Sequence, residues 1–174
     1  DRIWWYGPQG IAAFGMSAVD MALWDLKGKL LDQPVCNLIG GTLTEKVIAM
    51  ASIHLDMDDL DWSVNEFRWF AEQGYFIVKG GWGTNPPSVF GTDEKRDITL
   101  VSRIRETIGN DIDLVIDVLG ARVLWDLKTA IYRVQQMEQY NLLWIEEPLH
   151  PQNYKAHTSL RARTKTRIGT GEQE

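Results

Sequence analysis

Residues 142–148 read Leu-Leu-Trp-Ile-Glu-Glu-Pro, a short apolar run that stops at two carboxylates and a proline. A run of this length, bounded by a chain breaker, is typical of a buried β-strand. Two further segments end in an acidic residue in the same way, Leu-Val-Ile-Asp117 and Gly-Thr-Gly-Glu172. Asp117, Glu146 and Glu172 follow one another at intervals of 29 and 26 residues. This spacing predicts that one strand-plus-helix unit is repeated along the chain.

Helical periodicity occupies the stretches between the apolar runs. The pattern predicts helices over 62–73, 94–108, 125–139 and 154–162, and strands over 47–53, 76–79, 114–117, 142–146 and from 167 onward. Strands that alternate with helices in this way, and are apolar enough to be buried on both faces, form parallel βα units. A doubly wound open sheet and a (β/α)8 barrel both fit this order. No G-x-G-x-x-G segment opens a helix, so the dinucleotide-binding fingerprint is missing.

The acidic strand ends favour the barrel, because its catalytic groups lie where neighbouring parallel strands end. Carboxylates that converge there repel one another unless a cation joins them. Oxygen ligands select Mg²⁺, or Mn²⁺, and three protein ligands leave positions for water and substrate. The alternative is that each acid only solvates the rim or caps the next helix. Strand alternation sends Glu146 and Glu147 to opposite sides. One of them is therefore a candidate ligand, and we expect the other to pair with a polar group of a neighbouring strand.

A separate helix precedes the βα units. Apolar residues recur at helical spacing within residues 16–33 and predict a mostly buried helix, with its stripe at Val19, Leu23, Leu26 and Leu30. Pro34 ends this helix, and Gly40-Gly41 supplies a loop.

The composition is that of a globular protein with a real core. Hydrophobic residues make up 44% of the 174 residues and charged residues 24%, and the net charge is −6. An acidic surface repels phosphate groups, so we expect no nucleic-acid partner, and no apolar stretch is long enough to predict a membrane span. The single cysteine, Cys36, fits a reducing compartment, so we expect a cytoplasmic protein. The chain starts at Asp1, and residues 169–174 break off without a terminating element, which predicts a piece of a longer chain.

Five segments together resemble the mandelate racemase/muconate lactonizing branch of the enolase superfamily. They are the helix motif of residues 15–29 (GMSAVDMALWDLKGK), Val78-Lys79, Ile116-Asp117, Trp144-Ile-Glu-Glu-Pro148 and Thr170-Gly-Glu172. The resemblance implies an α/β fold in which the last helix of an α+β capping domain, within residues 1–44, precedes a partial modified TIM barrel. Residues 45–174 would then form the first five βα units of that (β/α)7β barrel.

The resemblance also implies roles for individual residues. Asp117, Glu146 and Glu172 match the three Mg²⁺ ligands of the family. Lys79 matches the first lysine of the family's K-x-K motif and is implied to be catalytic, whereas the second lysine, often a proton-abstracting base, falls on Gly81. A polar residue common two positions after the first ligand is Leu119 here. We also expect His54 and Glu174 as possible pocket residues, because His54 follows the first strand and Glu174 shares the parity of Glu172.

The activity that the resemblance implies is Mg²⁺-dependent removal of a proton α to a carboxylate. Without a base on the second strand, dehydration of an aldonate or aldarate to a 2-keto-3-deoxy acid is favoured. The family's acid-sugar dehydratases often use a histidine–aspartate pair on later strands, beyond Glu174 in family order. A racemase, epimerase or cycloisomerase of the same family is one alternative, and a non-catalytic scaffold is another. We expect a small-molecule carboxylate as the substrate and a homo-oligomer, either a dimer or an octamer.

Overall fold

The computed structural model describes residues 10–83, 89–118 and 125–172, which fall into two compact units, 10–47 and 48–172. The first unit contains helix α1 (Ile11–Leu31) and the single-turn helix α2 (Val35–Leu38). The helix predicted before Pro34 is therefore present. Its expected burial is wrong, because the apolar stripe finds no cover within the unit: its exposed members include Val19, Leu23, Leu26 and Leu30.

The second unit alternates strands and helices throughout. Its elements are β1 (Met50–Leu55), α3 (Leu60–Glu72), β2 (Ile77–Gly83), α4 (Glu94–Ile108), β3 (Asp113–Asp117), α5 (Leu127–Met137) with a 3₁₀ turn (Glu138–Tyr140), β4 (Leu142–Glu146), α6 (Tyr154–Arg161) and β5 (Arg167–Gly169). The strands form one parallel sheet in the order β1-β2-β3-β4-β5. A doubly wound sheet reverses its strand order part-way, whereas a barrel adds each strand beside the previous one. The sheet therefore has the order of the first five units of a barrel.

In the described part of this unit, the helices α3, α4, α5 and α6 each begin at a residue whose side chain caps the helix. The cap oxygen accepts a hydrogen bond from the backbone N–H three residues later, which satisfies one of the free donors of the first turn. The caps are Asp59, Asp93, Asp126 and Asn153. These short polar residues therefore fix where the chain turns from loop to helix.

The apolar core lies between the sheet and the helices. Along β1 the residues that face this core are Ala51, Ile53 and Leu55, and the buried Phe67 of α3 belongs to the same cluster. A β-carbon on Gly80 of β2 would come within 2.4 Å of the Phe67 ring, so glycine is needed for α3 to pack this closely.

The opposite face of the sheet, the inner face of the barrel, is polar at its edge. Ser52 and His54 of β1 are exposed, so the prediction that the strands are buried on both faces is wrong for β1. This strand also starts three residues later than predicted, since Val47 and Ile48 are exposed. None of the helices in the described ranges has the length and apolar character that a membrane crossing requires.

Strand register places five strand-end residues on one level of the inner face. Neighbours along this row are paired across the sheet in the order His54, Gly81, Asp117, Glu146 and Gly169. Lys79 lies two residues earlier on β2, one step deeper in the barrel. The fold thus brings two of the predicted ligands side by side at the carboxyl end of the sheet.

Candidate metal centre

Three carboxylates converge at the carboxyl ends of β3, β4 and β5. Asp117, Glu146 and Glu172 each offer one oxygen, and these oxygens lie within 4.8 Å of one another. Asp117 is 1% exposed, Glu146 is half-buried and Glu172 is exposed. An acid that only solvates the rim has no reason to be as buried as Asp117. The donor set, three carboxylates with no sulfur or imidazole, suits a hard divalent cation.

Lys79 provides positive charge beneath this triad. Its Nζ lies 2.5 Å from Glu146 Oε1 and 3.0 Å from Asp117 Oδ2, and its side chain is 11% exposed. Burial alone would lower the pKa of the ammonium. The hydrogen bonds to Glu146 and Asp117 outweigh that effect and raise the pKa above its usual value, so Lys79 stays charged. Its charge allows the two carboxylates to lie this close together.

Trp144 holds the second oxygen of Glu146. The indole Nε1 donates to Glu146 Oε2 at 2.9 Å, while Oε1 accepts from Lys79, so both oxygens are fixed in direction. The indole fits because residue 169 is glycine: a β-carbon there would come within 2.9 Å of Trp144 Cδ1. Trp144 was not among the site residues predicted from the sequence. Trp144 lies two residues before Glu146 on the same strand, so both side chains lie on one face. This spacing could have identified Trp144 as a partner of Glu146.

Glu147 is not one of the three converging acids, and its carboxylate binds the residues that follow β5 instead. Its side chain is fully buried, and its carboxylate accepts hydrogen bonds from the Thr170 hydroxyl at 3.2 Å and from the Gly171 N–H at 2.8 Å. The expected pairing with a polar group of a neighbouring strand is thereby confirmed. Glu146 is the one of the two that joins the triad.

Gly81 leaves no room for a side chain on β2 at the level of the triad. A β-carbon at this position would lie 2.2 Å from the Asp117 carbonyl oxygen and 2.6 Å from Asp117 Cβ. The strands β2 and β3 therefore approach closely at Asp117 because position 81 is glycine. A side chain at this position, such as the second lysine of the family's motif, would require β2 and β3 to move apart.

The remaining predicted pocket residues stand apart from the triad. His54 is exposed at the end of β1, two strands from Asp117 and so about 10 Å away across the sheet. It is not one of the residues whose ligand atoms converge. Glu174 and Leu119 lie outside the described residues.

Comparison with known proteins places this arrangement in a family. Residues 63–174 match the family model of the enolase C-terminal domain-like proteins, and residues 3–40 match that of the mandelate racemase/muconate lactonizing enzyme N-terminal domain. The chain belongs to the mandelate racemase/muconate lactonizing family. The family and the partial-barrel fold expected from the sequence are both confirmed.

Members of this family resemble the chain over almost its whole length. It is 32% identical over 169 residues to an L-talarate/galactarate dehydratase of Salmonella typhimurium, an alignment that covers 95% of this chain and 39% of that protein. A 3,6-anhydro-D-galactonate cycloisomerase of Zobellia galactanivorans superimposes with a TM-score of 0.87 and 31% identity, over 99% of this chain and 45% of the other.

A third relative was crystallised with a metal. The structure of a Bradyrhizobium enolase complexed with magnesium and mandelic acid superimposes with a TM-score of 0.81 and 29% identity, over 99% of this chain and 44% of the other. The chain thus spans less than half the length of these mandelate racemase/muconate lactonizing relatives.

Proposed function

We propose that this chain carries the metal-binding part of an acid-sugar dehydratase. The observation that supports the proposal most is the meeting of Asp117, Glu146 and Glu172 beside Lys79 on a strand that has no room for a second lysine. The dehydratases among its relatives add to that support. The proposed substrate is an aldonate or aldarate. Its conversion removes the proton on the carbon next to the carboxylate, expels the β-hydroxyl as water, and leaves an enol that becomes a 2-keto-3-deoxy acid.

In the proposed site each residue of the chain has a separate task. Asp117, Glu146 and Glu172 would hold a divalent cation, Mg²⁺ or Mn²⁺, one ligand from each strand. A cation bound there supplies positive charge for the negative charge that develops on the substrate carboxylate. The Lys79 ammonium adds a fixed positive charge at the floor of the site and keeps Asp117 and Glu146 in place. Trp144 orients Glu146 through its indole N–H.

The proton-transferring groups are proposed to come from later strands of the full enzyme, because position 81 is closed to a side chain. We propose that residues 1–44 end the capping domain and residues 45–174 begin the barrel. His54 and Glu174 stay predicted pocket residues, and the homo-oligomer stays a prediction.

Loss of a ligand tests the proposal directly. In the full enzyme, Asp117→Asn and Glu172→Gln are each expected to lower turnover of an acid sugar by about 10²–10³-fold or more at saturating Mg²⁺, because a transition-state charge loses its counter-charge. The far-UV circular dichroism should not change. Asp113→Asn at the opposite end of β3 is the matched control and should keep its activity. Activity retained in both ligand variants would contradict the metal role.

Two measurements separate the alternatives. The cycloisomerases among the relatives favour isomerisation as the second candidate. Turnover in D₂O distinguishes it, since exchange of deuterium into the substrate or product without loss of water indicates isomerisation. Calorimetric titration of Mg²⁺ distinguishes the scaffold, for which no binding in the millimolar range or tighter is expected.

A further inference from the structure

The carboxylate of Glu147 is buried beneath the carboxyl end of β5. None of the side chain is exposed, and Glu147 is not one of the three converging acids. Its Oε1 accepts from the Gly171 N–H at 2.8 Å and its Oε2 from the Thr170 hydroxyl at 3.2 Å. Both oxygens are therefore engaged with the two residues that immediately precede Glu172.

The backbone of Glu147 also binds β5, at Gly169. Its N–H donates to the Gly169 carbonyl at 2.9 Å, which extends the ladder between β4 and β5 by one bond. Glu147 has φ +48°, a left-handed conformation that residues other than glycine seldom adopt. Main chain and side chain of a single residue thus contact Gly169, Thr170 and Gly171 in succession.

Glu172 needs such support more than the other two acids do. Asp117 lies within β3 and is almost completely buried, and Glu146 is held by Lys79 and Trp144. Glu172 is exposed, and it follows a strand of only three residues and a glycine at φ +129°. A backbone of that kind has many conformations available unless its amides are fixed.

We propose that Glu147 is a positioning residue for the third metal ligand. By fixing the Gly171 amide and the Thr170 hydroxyl it sets the place from which the Glu172 side chain reaches toward Asp117 and Glu146. Glu147 does not itself contact the cation. The proposal rests on the metal centre proposed above. The new claim is that Glu147, the second acid of the Glu146-Glu147 pair, affects metal affinity through β5, the strand next to β4.

The isosteric variant separates this role from a need for negative charge. In Glu147→Gln the amide oxygen still accepts from Gly171 N–H and the amide N–H₂ donates to the Thr170 oxygen. Glu147→Ala removes both contacts. We expect Glu147→Gln to keep Mn²⁺ affinity within about threefold of the wild type, and Glu147→Ala to weaken it by about 10- to 100-fold, the range for partners that orient metal ligands.

The measurement is the titration of Mn²⁺ in the full chain, followed by the electron paramagnetic resonance signal of the free ion. It is made at a temperature at which all variants are folded by circular dichroism. Leu160→Ala is the control, because Leu160 is fully buried on α6 and its truncation lowers stability without removing either hydrogen bond of the Glu147 carboxylate. Equal Mn²⁺ affinity in Glu147→Ala and Leu160→Ala would overturn the proposal.

A double-mutant cycle tests whether Glu147 acts through Glu172. Glu147→Ala should weaken Mn²⁺ binding much less in a Glu172→Gln background than in the wild type. An undiminished effect there would overturn the proposal. Amide hydrogen exchange gives a readout that needs no metal: Gly171 should exchange at least about tenfold faster in Glu147→Ala than in Glu147→Gln. Equal exchange would overturn the anchoring itself. A wild type that binds no Mn²⁺ while Gly171 still loses protection would instead refute the metal centre, and with it the role of Glu147 toward a metal.

Discussion

Two buried cations lie at opposite ends of the sheet and are neutralised in different ways. Lys79 faces two carboxylates at the carboxyl ends of the strands. Arg105, at the end of α4, faces four backbone carbonyls in the turns that lead into β3 and β4. Its acceptors are the carbonyl oxygens of Gly109, Ile112, Tyr140 and Asn141, at 2.6–2.9 Å.

The different partners change the acidity of the two groups in opposite directions. Burial lowers the pKa of Arg105, because its hydrogen-bond acceptors are neutral, and the charge of Asp113 only partly offsets this. At Lys79 burial acts in the same direction, but the carboxylates raise the pKa. Arg105 therefore connects the two turns through hydrogen bonds, whereas Lys79 compensates the negative charge of Asp117 and Glu146. In a barrel the amino-terminal end serves stability and the carboxyl-terminal end serves chemistry.

The largest change in stability is expected when Arg105, which binds the turns before β3 and β4, is replaced. Arg105→Met leaves four carbonyls at the base of β3 and β4 without their donor. Because buried polar groups that lose their partners keep the full cost of desolvation, the free energy of unfolding should fall by about 3–4 kcal/mol. Urea unfolding measures it, and added Mg²⁺ should leave the difference in stability between this variant and the wild type unchanged. A change below about 1 kcal/mol would show that the four bonds are not what holds these turns.

The matched variant at the other end should behave differently. Lys79→Met leaves Asp117 and Glu146 facing each other without a counter-charge, so the metal-free protein should lose about 2 kcal/mol. Millimolar Mg²⁺ should recover much of this loss, because a cation bound among the acids replaces the ammonium charge and stabilises the folded state. Thermal unfolding with and without Mg²⁺ measures the difference. If Mg²⁺ reduces the loss of stability of Arg105→Met relative to the wild type as much as it reduces that of Lys79→Met, the contrast between the two ends is wrong.

At neutral pH the smallest effect on stability is expected for Asp97, a buried acid that contacts neither Lys79 nor Arg105. Asp97 of α4 is fully buried, and its Oδ2 accepts from Arg133 Nη1 at 2.8 Å and from the Gly91 N–H at 2.9 Å. Among the described residues its Oδ1 has no hydrogen-bond partner. Burial raises the pKa of Asp97 to about 7 from an ordinary value of 3.8, against the opposing charges of Arg133 and Arg96.

The pH dependence that follows has a definite sign. Between pH 4 and 7 the folded protein binds the proton of Asp97 and the unfolded chain does not, so this group makes the free energy of unfolding fall as the pH rises through that window. The slope is at most about 1.4 kcal/mol per pH unit for one proton. Asp97→Asn should remove this component and change stability by less than about 1 kcal/mol at pH 7, where the amide keeps both acceptor contacts. Urea unfolding of both proteins from pH 4 to 8 measures it, and parallel pH profiles would contradict the assignment.

The sequence predicted the fold best where several local signals, such as apolar spacing and a closing glycine, agree with one another. The prediction for α4 matches its observed bounds, 94–108, because the apolar spacing and the closing Gly109 agree, and the structure adds a capping side chain at Asp93. The meeting of Asp117, Glu146 and Glu172 was predicted by spacing alone, since parallel strands of similar length end on one side of a sheet.

The sequence could not predict contacts whose partners are backbone groups or residues far away along the chain. Arg105 binds backbone carbonyls, which every residue has, and Asp97 pairs with Arg133, 36 residues away. The closeness of β2 and β3 at Gly81 depends on the position of a carbonyl group on the next strand. The exposed stripe of α1 shows the opposite limit, because helical periodicity identifies an apolar face but not what covers it.

The adjacent glycines of β2 have a consequence for how this protein can change. Gly80 is filled by the Phe67 ring on one side of the strand, and Gly81 by the backbone of Asp117 on the other, so neither accepts even a methyl group in the present structure. Engineering a lysine at position 81 for racemase chemistry would begin with a collision at a proposed metal ligand. A lysine at position 81 would require β3 to move away from β2 at Asp117, so that substitution alone would also disturb the proposed ligand set.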